Sequence, residues 1–284
     1  MSTARETSTL SAAELRQAIR AGRHTGPTAG LAPGYVQTNI VILPAADAAD
    51  FAEFCRLNSQ ACPLVGRTAA GDPEPAEAAP GADLRSDVPR YCVFRRGVRE
   101  DAEPTDIRPL WRDDFIGFLI GCSFTFEGAL IEARLPVRHI EQGSNVPMYR
   151  TSIACRPAGR FAGPLVVSMR PYRPEQVERV REITARYPAM HGAPIHVGDP
   201  QAIGIADLAR PDFGDPAAIR AGEVPVFWAC GVTPQLALAA ARPEIAITHS
   251  PGCMFVTDLR DEAFLQPENT RAGLATDETR IKHG

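Results

Sequence analysis

VPVFWACGVTPQLALAAARPEIAITHSPG, residues 224–252, reads as a strand, a sharp turn, a short helix and a second strand. Val224 to Cys230 is a bounded apolar run rich in β-branched and aromatic residues, and Gly231 breaks it. Thr233-Pro234 then supplies a capping hydroxyl and a ring that presets φ for a helix start. The spacing predicts a helix N-terminus at the carboxyl end of a buried strand. Backbone N–H groups exposed there, with the positive end of the helix dipole behind them, would receive a phosphate or carboxylate. Gly231, Val232, Thr233 and Gln235 are therefore expected to bind an anionic substrate.

Outward from this stretch the alternation of strand and helix continues. Val36–Leu43, closed by Pro44, predicts a strand, and Ala46–Asn58 a helix with Phe51, Phe54 and Cys55 on one face. Ser11 and Glu14 have the spacing of a capping box opening a helix over 11–21. Trp111–Ala133, apolar but broken at Gly121, predicts two helices with GCSFT between them. Ile153–Cys155 and Leu165–Met169 are expected to pair as strands, followed by a helix over Pro174–Arg186 and a strand over Pro194–Val197. Thr68–Ala82 is too rich in Pro, Ala, Gly and Glu to pack and reads as an exposed loop. Arg138–Thr151 carries Gly, Asn and Pro at loop-like intervals. The pattern predicts an α/β fold: a larger three-layer α/β domain (residues 1–119 and 223–266), a smaller inserted α+β domain (120–222), and a polar tail (267–284). A cleft between the two units would hold a small-molecule carboxylate substrate.

Composition narrows the partners. A chain of 284 residues, 44% of them hydrophobic, can bury one large core or two ordinary ones. Its net charge of −4 carries no basic footprint for nucleic acid. The longest apolar stretches, such as Phe115–Cys122, are too short to span a bilayer. Seven scattered cysteines without a C-x-x-C pair read as buried free thiols of a reducing compartment. With no secretory leader at the N-terminus, a cytoplasmic location is expected, and a homo-oligomer is compatible with all of this.

Several residues could carry chemistry. Glu127 lies in the apolar FTFEGAL, so its carboxyl is either paired, with Arg134, Arg138 or Arg150, or raised in pKa and able to act as a general acid. His139 precedes the loop EQGSNVPMYRT, whose Asn, Tyr and Arg150 could line a site; a surface histidine is the alternative. His191, His196 and Asp199 in HGAPIHVGDP read as substrate contacts, or the histidines as hydrogen-bonded structural residues. A divalent metal held by these three is the other reading, although their spacing matches no zinc signature. His249 either faces the pocket or caps a chain end. Cys230 is a small core residue or, beside a helix N-terminus, a nucleophile. No G-x-S-x-G, P-loop or G-x-G-x-x-G occurs.

The stretches GYVQTNIVILP (34–44), FCRLNSQACPL (54–64), FLIGCSFTFEGAL (118–130), NVPMYRT (145–151), GPLVVSMRP (163–171), HGAPIHVGDPQAIGI (191–205) and PVFWACGVTPQ (225–235) together resemble the D-glutamate cyclase family. Short bacterial members of that family are labelled hydro-lyases. The resemblance implies an α/β fold with an inserted α+β domain, and dehydration of D-glutamate to 5-oxo-D-proline or of a related small acid. No cofactor is specified by it, and a divalent metal is left open. In that chemistry His139 would take a proton from the amine, Glu127 would protonate the departing oxygen, Arg150 would hold the α-carboxylate, and the N–H groups after Gly231 would receive the other carboxylate or the oxyanion. A non-catalytic binder of a small dicarboxylate or oxoproline would use the same anion site without turnover.

Overall fold

The computed structural model describes residues 10–267. Strand β1 (Tyr35–Pro44) is buried at every position after the first, so it must lie inside a sheet covered on both faces. It is flanked on one edge by β5 (Phe115–Gly121) and on the other by β10 (Ile245–His249) and β11 (Phe255–Arg260). Beyond these lie β2 (Leu64–Arg67), paired with β5, and β3 (Tyr91–Arg95) and β4 (Val98–Arg99), which extend the sheet past β10. A second, four-stranded sheet has the order β6 (Met148–Ala154), β7 (Pro164–Tyr172), β9 (Val224–Ala229) and β8 (His196–Val197). Six α-helices lie among the described residues: α1 (Ala12–Arg20), α2 (Ala45–Leu57), α3 (Phe124–Glu132), α4 (Arg138–Gln142), α5 (Pro174–Ala185) and α6 (Thr233–Ala241).

The expected mixture of strands and helices is present, but the pairings in both sheets are antiparallel and the sheets dominate. The strand, turn, helix and strand read from residues 224–252 form as β9, α6 and β10. These two strands belong to different sheets, so α6 carries the chain from one sheet to the other. A core cluster fills the space around that crossing: Val41, Phe118 and Ala246 from the first sheet, Ala229 from the second, and Phe51, Phe54 and Leu238 from helices. Phe51 meets Phe118 and Phe161 edge-on, with ring centres 4.9 and 5.4 Å apart, a geometry favoured by the ring quadrupoles. At α1, Ser11 N–H donates to Glu14 Oε2 at 2.8 Å and Glu14 N–H to Ser11 Oγ at 3.4 Å, which closes the expected capping box.

Three readings need correction. Phe115–Gly121 is a strand rather than a helix: periodicity cannot tell a seven-residue apolar run in a doubly covered sheet from buried helix. Its Gly121 is required by sterics, since a Cβ there would lie 2.2 Å from the Ala189 carbonyl oxygen. The segment 138–151 is a short helix and the start of β6, not all loop. The 68–82 segment has no regular secondary structure, yet Ala78, Ala79 and Ala82 join a core cluster with Ile40, Tyr91 and Phe115; alanine is small enough to pack without periodicity. Most of the polar tail expected at 267–284 lies outside the described residues. Among the described residues no helix is long and apolar enough to cross a membrane.

Candidate active site

Strand β5 runs through Cys122 and Ser123 straight into α3, which brings Glu127 in the first helical turn against β7. A carboxylate 2% exposed in such a place needs a cation. It is met by Arg170 of β7, whose Nε donates to Glu127 Oε1 at 3.0 Å and whose Nη2 makes a further short contact with the same oxygen. Arg170 also donates to Ser168 Oγ at 3.1 Å and Ser123 Oγ at 2.9 Å. Its guanidinium lies 5.4 Å from the ring centres of both Phe126 and Trp228. The cation is thus enclosed on all sides and fixed in one geometry.

His139 arrives from α4, a helix anchored by its neighbour Arg138. That guanidinium reaches Glu223 Oε1 at 2.6 Å and the Ala218 carbonyl at 2.7 Å. The imidazole is 1% exposed and stacks on Phe124, ring centres 6.1 Å apart. Its Nε2 lies 3.3 Å from Glu127 Oε1, within ion-pair distance, yet neither ring nitrogen makes a hydrogen bond. A buried imidazole with Nδ1 unpaired and only the Glu127 carboxylate near Nε2 is costly unless something else binds there. Burial pushes the Glu127 carboxyl up, but its neighbours His139 and Arg170 outweigh it and hold the carboxyl below the usual value. Glu127 is therefore an ionised carboxylate, not the protonated acid of the sequence reading.

The other expected residues divide. Arg150 is exposed on β6; its Nε lies 3.4 Å from Asp212 Oδ1 and its guanidinium 5.8 Å from the Phe213 ring centre, so it is not the cation that answers Glu127. At the 231–235 turn two of the donors expected to hold an anion, those of Thr233 and Gln235, are taken. Thr233 N–H donates to the Cys230 carbonyl at 3.0 Å, Gln235 N–H to that of Val232 at 2.9 Å, and Pro234 has none. The turn instead packs against β1, where a Cβ on Gly231 would lie 2.0 Å from Asn39 Nδ2. His191 is buried and its Nδ1 sits 2.8 Å from the Gln60 carbonyl; burial pushes its pKa down to about 4, so it is neutral and donates. His196 Nε2 contacts the backbone carbonyl of Asp199 at 2.7 Å, while the Asp199 carboxylate caps a turn by accepting from Gln201 N–H at 3.0 Å. His191, His196 and Asp199 are thus committed separately, and no group of three or more such side chains among the described residues is placed to hold a metal. Burial raises the Cys230 thiol to about 11, which leaves it a neutral core residue. A cleft of about 390 Å³ lies elsewhere, lined by Val65–Ala69, Asp72 and Glu74–Ala78 with Leu119, Leu259 and Phe264.

Arg170, Ser123 and Ser168 were missed in the sequence although a signal was present. Arg170 is the lone charge in the apolar VVSMRPY, as Glu127 is in FTFEGAL, and two isolated charges of opposite sign in buried segments are natural partners.

The sequence profile of the D-glutamate cyclase family matches residues 116–258, which contain this centre. A protein of Rubrobacter xylanophilus named "Putative hydro-lyase" is 61% identical over 253 residues, 89% of this chain and 97% of its own length. Proteins of the same name from Stutzerimonas stutzeri and Bacillus velezensis are 59% and 56% identical, covering 89% and 90% of this chain and 95% and 97% of theirs. Among solved structures, a nitrogen repressor-like protein from Methanococcus jannaschii matches over 86% of this chain and 97% of that one, at 9% identity and a TM-score of 0.33.

Proposed function

Since this chain belongs to the D-glutamate cyclase family, we propose that it is a hydro-lyase that closes D-glutamate, or a closely related amino dicarboxylic acid, to a five-membered lactam with loss of water. The observation that carries this reading is His139: buried, without a hydrogen bond at either nitrogen, and 3.3 Å from an ionised carboxylate. A carboxylate beside an imidazole orients the ring and faces the positive charge that forms when the ring takes a proton. Lactam closure forms a C–N bond and expels one carboxylate oxygen. Both hydrogens of the departing water come from the substrate ammonium. His139 would take these two protons from the nitrogen one after the other and pass each to the oxygen, serving as base and then as acid in each transfer. Glu127 would hold the positive charge in between, and Arg170 would keep Glu127 ionised and aimed. In this form Glu127 acts through His139 rather than as the acid.

The direct test is incubation of the purified chain with D-glutamate, L-glutamate and the matching hydroxy acids, with and without divalent metal, followed by mass spectrometry. Loss of one water from D-glutamate supports the reading. Loss of water from a hydroxy acid alone moves it to another dehydratase, and saturable binding with no turnover of any compound makes the chain a binder.

A further inference from the structure

Along one edge of β1 two strands take turns. Strand β11 pairs with Tyr35 to Thr38, and β10 pairs with Val41 and Ile42. Asn39 and Ile40 fall in the break, where residues 250–254 swing out of the sheet. The Ile40 N–H is not left bare: it donates to His249 Nδ1 at 3.3 Å. A ring nitrogen that accepts carries no proton, so the hydrogen of the neutral imidazole sits on Nε2. Burial keeps the ring neutral, with its pKa pushed down to about 4. His249 is 1% exposed and its Nε2 has no partner.

The same turn is gripped from the second sheet's side by Asn145. Its Nδ2 donates to the Pro251 carbonyl at 3.2 Å, and a Cβ on Gly252 would lie only 2.6 Å from that nitrogen. The amide is therefore fixed in orientation, and its Oδ1, on a residue 9% exposed, has no partner. One buried donor and one buried acceptor thus bracket residues 249–252. Buried polar atoms are seldom left unmade without a purpose. Gln235 Nε2 holds the His249 carbonyl at 3.1 Å and steadies the turn. Phe124, which stacks on His139, packs against the apolar cluster that contains Val146, the neighbour of Asn145.

We propose that the break in the β1 ladder is the subsite for the substrate's amino-acid end, with His249 Nε2–H donating to a carboxylate oxygen and Asn145 Oδ1 accepting from the amine or lactam N–H. The substrate class rests on the function proposed above; the subsite rests on the two unpaired atoms. Calorimetric titration of the full chain with 5-oxo-D-proline, and with the γ-lactone carboxylate that has a ring oxygen in place of N–H, tests both contacts. His249→Asn keeps an acceptor near the Nδ1 position, so Ile40 stays capped, but removes the distal donor. His249→Gln does the reverse. The first variant is expected to melt near the wild-type temperature yet bind oxoproline about 10- to 100-fold more weakly, the loss of a hydrogen bond to a charged group. The second is expected to melt lower and keep most of the affinity. The lactone is expected to bind more weakly than the lactam, and Asn145→Leu to erase that difference; if this variant fails to fold, the lactone comparison on the wild type still decides.

Unchanged affinity in a folded His249→Asn protein, equal binding of lactam and lactone, or no saturable binding of either probe to the wild type would each overturn the subsite. The two readings fail separately. Turnover of D-glutamate with an unchanged KM in His249→Asn removes the subsite and leaves the activity. Oxoproline binding that His249→Asn abolishes, in a wild type that turns over nothing, keeps the subsite and removes the activity.

Discussion

Replacing Glu127 by Gln keeps the volume of the side chain and removes the charge that Arg170 is folded against. The guanidinium of Arg170, 0% exposed, would keep only uncharged partners: the amide oxygen of the new glutamine, the Ser123 and Ser168 hydroxyls and two aromatic faces. Stranding one member of a buried ion pair costs about 3–5 kcal/mol. At about 2–4 °C per kcal/mol for a fold of this size, the melting temperature should fall by about 6–20 °C. Arg170→Met strands the carboxylate instead, with His139 as its remaining partner, and should cost about as much. The double variant buries no unpaired charge and should recover most of the loss, so that the two substitutions couple by about 2 kcal/mol or more. Thermal and urea unfolding of the four proteins measures this directly. Turnover separates chemistry from stability: it should fall about 100-fold or more in Glu127→Gln and stay lost in the double variant although the fold recovers. Independent, additive effects on stability would refute the buried pair, and recovered turnover in the double variant would refute the role of the carboxylate behind His139.

Acid should weaken the fold in a defined window. His191 and His249, both pushed by burial from 6.5 to about 4, are protonated far more readily in the unfolded chain. The stability they contribute is complete above about pH 6.5 and is lost as pH falls toward 4, on the order of 3 kcal/mol each at most; urea unfolding at pH 7, 5.5 and 4 should trace the loss, and His249→Asn should flatten it. Glycine substitutions should split by site: Gly128→Ala, in α3 with open space at the Cβ position, should stabilise by about 0.5–1 kcal/mol, whereas Gly121→Ala meets a backbone carbonyl at 2.2 Å and should destabilise in the same melting assay. The seven cysteines are buried and free, so a thiol reagent should react slowly with the native chain and with all seven once urea is added. Rapid labelling of Cys230 in the native state would reinstate it as a reactive thiol.

Local chemistry was the most legible part of this chain. The Ser11 capping box, the Pro174 helix start and the β9–α6–β10 run follow from caps, ring constraints and bounded apolar runs, all of which act within a few residues. What could not be read was long-range. FIGFLIG has no period because both of its faces are covered, and a covered strand and a buried helix then look alike. Glu127 and His139 stood out as polar groups in apolar or turn-forming sequence, yet the partner of Glu127 lies 43 residues on in Arg170, not in the arginines nearer in sequence. The anion cradle expected at residues 231–235 followed from a helix start alone. Whether its N–H groups stay free depends on carbonyls in the same turn and on how the second sheet approaches, which no local rule specifies.

The sharing of one β1 edge by β10 and β11 also sets the order in which the chain can be finished. Strand β1 ends at Pro44, and the strands that cover its second edge begin only at Ile245. During synthesis at about 5–20 residues per second, that edge stays bare for roughly 10–40 s. Strand β3 waits for β10 as well, so the middle of the seven-stranded sheet is an open gap until β10 emerges. An uncovered apolar strand edge is a template for wrong partners, and pairings across some 200 residues form slowly. A ribosome stalled short of residue 245 would therefore release a chain with its second sheet's strands complete and its first sheet unclosed, a form suited to chaperone capture or aggregation rather than to partial activity.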